Sequence, residues 1–481
     1  MSKVTVRNLT HLPLILKRAE RYDSKVVRTG SVFTNTIGTI TSFINATNFT
    51  TSETHADGEA RSFKDVHVEI GSFSAKVTEF SPPEQGKDVL RFYFECEGKR
   101  YQVDVPTATD TSTVMERLSE GDKRELTAVY IARHDFLAIM SSSNLHAWMK
   151  EVRDEYPLSL LSIPGTHNSP ACYTALPSVR CQAVGVSEQL ENGVRFLDIR
   201  VSATPDNDNL ALVHSAFPVS LTGTKWFGDL LSEVYAFLDR NPSETIVMSL
   251  KREGTGKASD QDMSRYLRDR FIRGNDGADA KRWWTRGHIP TLGEVRGKIV
   301  LLRRFNVADS VRKSENGGKG FGIDAAHWPD NCDDGKCGGG LVRVQDFYEI
   351  DQSTNIERKI GYSHAQLERA AEQLFRNTPD ADAGDKKNNN KVKPPPFFVN
   401  FLSASNFFNA TCWPERIAAK VNPAVIEYLC MRHGEDGKGP KKLKVGDACT
   451  GIVVTDWVGA HGDWDLIRCI VGWNARLQAK K

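Results

Sequence analysis

From residue 158 onward the chain repeats one unit: a short run rich in Val, Ile, Leu and Phe, a polar or helical stretch, then another run. LSLLSI, VRFLDI, LALVHS, TIVMSL, KIVLL, VQDFYEI, FFVNFL and GIVVTDW make eight such runs. They are mostly continuous apolar segments, as strands covered on both faces must be, and helical spacing separates several of them. The clearest helix is KWFGDLLSEVYAFLDR, in which Trp226, Phe227, Leu230, Leu231, Val234, Phe237 and Leu238 share one face. Asn241-Pro242 ends it. Eight apolar strands with intervening helices predict an α/β fold, a (β/α)8 TIM-type barrel that is either regular or distorted by insertions. Two insertions stand out: the glycine-rich DNCDDGKCGGG and the polar, proline-containing DADAGDKKNNNKVKPPP.

Residues 1–145 follow another rule. VTVRNL, DVHVEIGSFSAKVTEF, DVLRFYFECEGKRYQVDV and ELTAVYIARHDFLAIM alternate apolar and polar at period two, broken by Gly, Pro, Asp and Ser. This region predicts an all-β, sandwich-like domain of unknown role, followed by the barrel domain over residues 146–481. Two domains also suit a length of 481 residues. The net charge of +2 gives no argument for nucleic acid or another strongly anionic partner.

No apolar stretch approaches the roughly 18 residues that span a bilayer. The N-terminal MSKVTVRNLTHLPLILKRAERYD lacks the apolar core and cleavage site of a signal peptide. The expectation is a cytoplasmic or peripheral membrane protein, with secretion left open. Nine cysteines form no CxxC pair; Cys172/Cys181 and Cys332/Cys337 are near enough in sequence to bridge, but reduced thiols fit the missing signal better. The sequons at Asn45, Asn48 and Asn409 matter only on secretion. Nothing in the sequence sets an oligomeric state.

The chemistry gathers where the apolar runs stop. The first run leads to His167 and Asn168, the second to Asp198 and Arg200, the third to His214. The fourth ends in Lys251, the fifth in Arg303 and Arg304; the sixth carries Asp346 and Tyr348, the eighth Asp456. In a barrel these are the C-terminal strand ends, where sites are built. Two histidines and an arginine suffice for attack on a phosphodiester by a neighbouring hydroxyl. One imidazole takes the hydroxyl proton, the other protonates the leaving oxygen, and the cation holds the phosphate charge.

SIPGTHNS, NPSETIVMSLK, RGKIVLLRRF and VQDFY, in that order, resemble the motifs of the phosphatidylinositol-specific phospholipase C X-domain, of the small bacterial kind. The resemblance spans residues 155–481. It implies that His167 is the general base for the inositol 2-hydroxyl, oriented by Asp456, and that His214 is the general acid for the diacylglycerol oxygen. It implies that Arg200 neutralises the phosphate where the animal enzymes hold calcium. Lys251, Arg304 and Asp346 would hydrogen-bond inositol hydroxyls, with Tyr348 against the ring. The products would be diacylglycerol and a cyclic inositol phosphate.

Asn168 departs from the bacterial pattern, which has Asp there; the animal enzymes have Asn as a calcium ligand. Asp198 stands beside Arg200, whose cation repels a metal, so the expected site needs no metal or other cofactor, with calcium the weaker alternative. A different glycerophosphodiester or a glycosylated inositol lipid is the alternative substrate. A catalytically decayed lipid- or sugar-binding module is the alternative class. The expected partners are a small inositol phosphodiester and, transiently, a phospholipid surface. For the latter, Trp283 and Trp284 among Lys281, Arg282 and Arg286 are one candidate contact; packing of these tryptophans onto the barrel is the plainer reading.

Overall fold

The computed structural model describes residues 2–29, 51–106, 112–121, 124–142, 144–176, 178–274, 278–375 and 393–480. The sequons at Asn45 and Asn48, and residues 380–392 of the polar insertion, lie outside them. The chain divides into two compact units, Met1–Ser142 and Ser143–Lys481. No helix among the described residues is long and apolar enough to cross a membrane. None of the nine cysteines forms a disulfide among the described residues.

The first unit is built of β1 (Thr5–Asn8), β2 (Leu14–Thr29), β3 (Thr51–Ile70), β4 (Ser74–Val77) and β5 (Asp88–Cys96). These are followed by β6 (Lys99–Val105), β7 (Ser112–Val114), β8 (Glu116–Arg117), β9 (Glu125–Ile131) and β10 (Phe136–Ser142). They form two five-stranded sheets, ordered β4-β1-β10-β9-β7 and β3-β2-β5-β6-β8. The period-two pattern works as alternation should: on β5, Leu90, Phe92, Phe94 and Cys96 are buried, and Arg91, Tyr93 and Glu95 are less so. Buried residues of both sheets, Val6 and Leu137 from one and Leu16, Phe92 and Tyr101 from the other, belong to one apolar cluster.

The second unit centres on a curled parallel sheet. Its strands are β11 (Ile163–Thr166), β12 (Phe196–Thr204), β13 (Asn207–His214), β14 (Phe217–Pro218), β15 (Ile246–Arg252) and β16 (Trp283–Trp284). The remainder are β17 (Ile299–Arg304), β18 (Ile323–Asp324), β19 (Gly335–Cys337), β20 (Val342–Gln345), β21 (Phe397–Phe401) and β22 (Ile452–Thr455). Eight parallel strands run β18-β17-β15-β12-β11-β22-β21-β20, a ninth, β16, is also parallel to β17, and β18 and β20 do not pair among the described residues. The helix Phe227–Arg240 buries the six apolar positions that its sequence puts on one face from Phe227 to Leu238. At Gly165 a Cβ would lie 2.8 Å from the Phe196 ring, so glycine is what lets β11 and β12 approach.

The expected strand set needs three corrections. LALVHS is no barrel strand: it forms β13, antiparallel to β12 with Val201 opposite Leu212. Only Pro205 and Asp206 separate the two strands, too few for a parallel crossover, and Asp206 turns the chain with a φ of 60°. Two further parallel strands, β16 and β18, are each two residues long. The first run also starts later than expected, since Leu158–Leu160 is a 3-10 turn and pairing begins at Ile163.

Candidate active site

The end of β11 sets the first half of the site. The His167 amide donates to the Thr455 carbonyl (2.9 Å), and its Nδ1 lies 2.9 Å from Oδ1 of Asp456, just past β22. Because the carboxylate can only accept, Nδ1 carries the proton and Nε2 is the basic nitrogen. Burial pushes the Asp456 carboxyl up, against the pull of His167 and Arg200. Asn168 then takes a φ of 37°, in the left-handed region that Asn tolerates better than most residues. Its amide N–H donates to Asp198 (3.1 Å) and its Nδ2 to the Val213 carbonyl (3.1 Å). Its buried Oδ1 has no hydrogen-bond partner among the described residues.

The hairpin β12–β13 supplies the second half. The His214 ring centroid lies 5.4 Å from that of His167, edge to face. Its Nδ1 lies 3.1 Å from the Val179 carbonyl, which leaves Nε2 as the nitrogen free for chemistry. Burial, and then the neighbouring His167 and Arg200, press its pKa down to about 3, so His214 is neutral when nothing is bound.

Arg200 lies in a carboxylate frame, its side chain 11% exposed. Its Nε donates to Asp198 (3.1 Å) and a terminal nitrogen to Glu253 (3.3 Å). Burial opposes its charge, but Asp198 and Glu253 more than restore it, so the guanidinium is permanently cationic. Burial alone would raise Asp198; Arg200 and Arg304 instead hold it well below the usual carboxylate range. Glu253 is held at about 2 because Arg200 and Lys251 outweigh its burial.

The remaining expected residues form a flank. Lys251 bonds Glu253 at 2.5 Å. Arg304 reaches Asp198 at 3.3 Å and Asp346 at 3.9 Å, with its guanidinium 3.8 Å from the centre of the Trp328 ring. Trp328 donates to Asp346 (2.9 Å), and Tyr348 donates to Asp330 (2.8 Å). Arg303 is structural, bonding the Phe321 and Phe305 carbonyls and Asp324. Trp283 and Trp284 are buried, donating to Tyr235 and to the His288 carbonyl, and pair with the start of β17, opposite the strand end that bears Arg304. The plainer reading of these tryptophans is the right one.

Four contributors escaped the sequence. Gln182 donates to the His167 and Thr455 carbonyls (2.7 and 3.0 Å) and more weakly to Asp456 (3.4 Å). Lys359, fully buried on the helix Ile356–Ala371, donates to Gln345 and the Phe347 carbonyl, bracing the segment that carries Asp346. Cys181 lies 3.7 Å from His214 Nδ1. Only Glu253 had a readable signal: two residues beyond Lys251, it leaves the strand on the same side.

A parallel α/β sheet that ends in two anchored imidazoles beside a guanidinium places a base, an acid and a fixed cation together, the groups that phosphodiester cleavage by a neighbouring hydroxyl requires. Residues 155–305 match the family model for the phosphatidylinositol-specific phospholipase C X domain. Over those residues the chain is similar to that family. It is 34% identical over 174 residues to the 1-phosphatidylinositol phosphodiesterase of Listeria monocytogenes, a match covering 34% of this chain and half of that protein. It is 28% identical over 322 residues to the Staphylococcus aureus (strain Newman) protein of the same name, covering 65% of this chain and 88% of that one. The human PI-PLC X domain-containing protein 1 is 28% identical over 181 residues, covering 31% of this chain and 52% of that protein. A solved structure of an S. aureus phosphatidylinositol-specific phospholipase C double mutant shares the fold. Its TM-score is 0.51 at 23% identity, and the match covers 69% of this chain and 97% of that chain.

Proposed function

We propose that this protein cleaves phosphatidylinositol by attack of the inositol 2-hydroxyl on phosphorus, releasing diacylglycerol and a cyclic inositol phosphate. The observation that carries this reading is the paired imidazoles: each is anchored through Nδ1, with ring centres 5.4 Å apart and Arg200 in a carboxylate frame beside them. His167 removes the hydroxyl proton through Nε2 while Asp456 stabilises the imidazolium. Arg200 meets the phosphate charge. His214 is neutral in the free enzyme; the arriving phosphodiester anion favours its protonated form, and it then gives that proton to the departing oxygen. Lys251, Arg304, Asp346 and Tyr348 hold the inositol hydroxyls and ring. Asp198 is committed to Arg200, Arg304 and the Asn168 amide, which supports catalysis without calcium.

In the same reading the eight parallel strands form a barrel interrupted between β18 and β20, and the N-terminal sheets form a sandwich over their common cluster. The lipid surface meets an aromatic rim rather than Trp283 and Trp284. Phe217, three residues after His214, stacks on Phe407 at 5.8 Å, and Phe408 beside it is 95% exposed. Ser405 of the same loop bonds the Tyr348 carbonyl, so the patch borders the pocket. Exposed aromatic clusters at a pocket mouth suit the headgroup zone of a bilayer.

The test is incubation of the purified chain with phosphatidylinositol vesicles in chelator, followed by phosphorus NMR. A cyclic phosphodiester resonance is expected. Tight binding to vesicles with no phosphorus product would replace the enzyme by a binding module.

A further inference from the structure

We propose that the same pocket is a soft-metal site, in which a zinc-type divalent ion held by His167, Cys181 and His214 silences the protein. The silencing rests on the phosphodiesterase reading; the site itself does not.

Cys181 has no part in phosphodiester chemistry, yet it is fully buried against the acid histidine. Its Sγ lies 3.7 Å from His214 Nδ1 and 3.4 Å from the Val179 carbonyl. One ligating atom from each of His167, Cys181 and His214 lies within 4.8 Å of the other two, and all three residues are buried. Zinc binds thiolate sulfur at about 2.3 Å and imidazole nitrogen at about 2.0–2.1 Å, so tetrahedral donors stand roughly 3.3–3.6 Å apart. The sulfur and the His214 nitrogen already have nearly that separation. The two edges to His167 are at most 4.8 Å, so closing them takes at most about 1.5 Å, within the reach of χ adjustments.

The donor set also selects the ion. Two imidazoles and a thiolate favour zinc, copper or cobalt over calcium and magnesium, which want oxygen. Each of these pocket carboxylates already has a cationic or imidazole partner: Asp198 has Arg200 and Arg304, Glu253 has Arg200 and Lys251, and Asp456 has His167 through Oδ1. That last pair is an asset, because a carboxylate on the far nitrogen of a ligating histidine orients the ring and raises its basicity. With Nδ1 committed to Asp456, His167 ligates through Nε2. Arg200 is the cation that opposes the ion, and Asp198, Asp456 and Glu253 are the anions that offset it.

The proton balance is simple. The Cys181 thiol, whose pKa burial drives well up, loses its proton to solvent as the ion binds. His214 moves its proton from Nδ1 to Nε2 and gives up the bond to Val179. One proton is released per ion, so affinity rises with pH. With the ion in place, His167 has no lone pair for the 2-hydroxyl, and His214 is held as a ligand.

The test is a cobalt(II) titration of the full-length chain, reduced with a phosphine, without substrate. A thiolate-to-cobalt charge-transfer band in the near ultraviolet is expected, saturating at one ion per chain, displaced by zinc and absent in Cys181→Ser. Zinc should inhibit lipid cleavage reversibly to chelator, at a concentration at least tenfold higher in Cys181→Ser than in wild type. No charge-transfer band in the folded wild type overturns the site, whatever its activity. Equal zinc sensitivity of wild type and a variant with native near-ultraviolet circular dichroism overturns the role of Cys181. If the Ser variant does not fold, Cys181→Ala serves, and the wild-type band alone still decides the site.

Discussion

Arg195 and Arg200 sit at the foot and in the body of one strand, the first fully buried and the second nearly so, each facing a glutamate that flanks the neighbouring strand β15. They are opposite in kind. Arg195 donates from Nε to Glu244 (2.8 Å) and from its terminal nitrogens to the Leu190, Val194, Leu145 and His146 carbonyls. Its hydrogen-bonding capacity is full, and Glu244 also receives the Met149 amide and the Ser243 hydroxyl. Arg200 makes two bonds among the described residues, both longer, to Asp198 and Glu253. Around it, Asn168 Oδ1, Asp456 Oδ2 and Arg304 Nε are buried without hydrogen-bond partners among the described residues. One end of the sheet is finished as structure. The other keeps unmet polar capacity, as an end that receives a charged, hydroxyl-rich ligand must.

The deepest test removes the chemistry while leaving the frame. His167→Ala and His214→Ala should each lower turnover on the order of 10²–10⁴-fold, with unchanged thermal unfolding. The double variant should be scarcely worse than either single one, because both serve one proton-transfer sequence. Retention of more than about a tenth of the wild-type rate by either single variant removes that histidine from its role.

The two arginines separate next. Arg195→Met strands Glu244 in the interior and should cost about 3–5 kcal/mol in chemical denaturation. Folded Arg195→Met should keep its rate per active molecule. Arg200→Met should instead lose at least about 10² in kcat, the scale of one removed charge-stabilising donor, and added calcium should not restore it. Loss of its activity by the wild type in chelator, with recovery in calcium alone, would promote Asn168 to a metal ligand.

Acidity sharpens the contrast. His214 has an ordinary pKa of 6.5 and a folded value near 3, so between these the unfolded chain binds a proton that the native pocket refuses. Stability is therefore full above about pH 6.5 and falls as pH drops toward 3, by a few kcal/mol in total. His364, lowered to about 4 by burial, contributes in the same window. Glu253 adds its loss only between its ordinary 4.5 and about 2. His214→Asn should accordingly flatten, but not abolish, the slope of unfolding free energy between pH 6.5 and 4.5. An unchanged slope would mean that His214 is not buried neutral.

What the sequence made legible follows from the same contrast. His167, Arg200, Lys251, Arg304, Asp346 and Asp456 stand at or near the ends of apolar runs, so linear order alone located them. His214 was located for a wrong reason: its run is the return arm of a hairpin, and the two-residue gap Pro205–Asp206 was the signal against a parallel strand. β18 gave no signal because two residues carry no periodicity. Gln182 and Lys359 reach the site from a loop and from a helix interior, where only tertiary packing brings them near. Trp283 and Trp284 leave two readings open because their neighbours are basic, and the plainer one holds: they bury against Tyr235 and β17 while Arg282 turns out to Asp239. The N-terminal strands were legible from alternation, which reports burial and nothing of function.

A smaller effect is expected at the rim. Phe408→Asp should weaken association with phosphatidylinositol vesicles and raise the apparent KM on them severalfold. Cleavage of a water-soluble inositol phosphodiester should be unaltered. Equal losses on both substrates would place the phenylalanine in the pocket rather than at the lipid surface.

Asn168→Asp asks how far the open end is tuned. The amide now donates to the Val213 carbonyl, one residue before His214, so a carboxylate there forfeits that bond and costs about 1 kcal/mol of stability. It also brings a second negative group near Asp198, which the Asn168 amide N–H already contacts. Against this, a negative charge beside the hairpin that carries His214 favours the imidazolium and moves its pKa upward, toward a range in which it can donate at neutral pH. The two effects oppose each other, and the charge term acts directly on the imidazole proposed to protonate the leaving oxygen. The expected result is a rate that holds or rises, with the alkaline limb of the pH–rate profile displaced to higher pH. A fall of more than about tenfold, or roughly 1.4 kcal/mol in the barrier, with native stability retained would show the opposite. The amide and its bond to Val213 would then be what holds His214 in place, and an aspartate at this position would not be interchangeable with it.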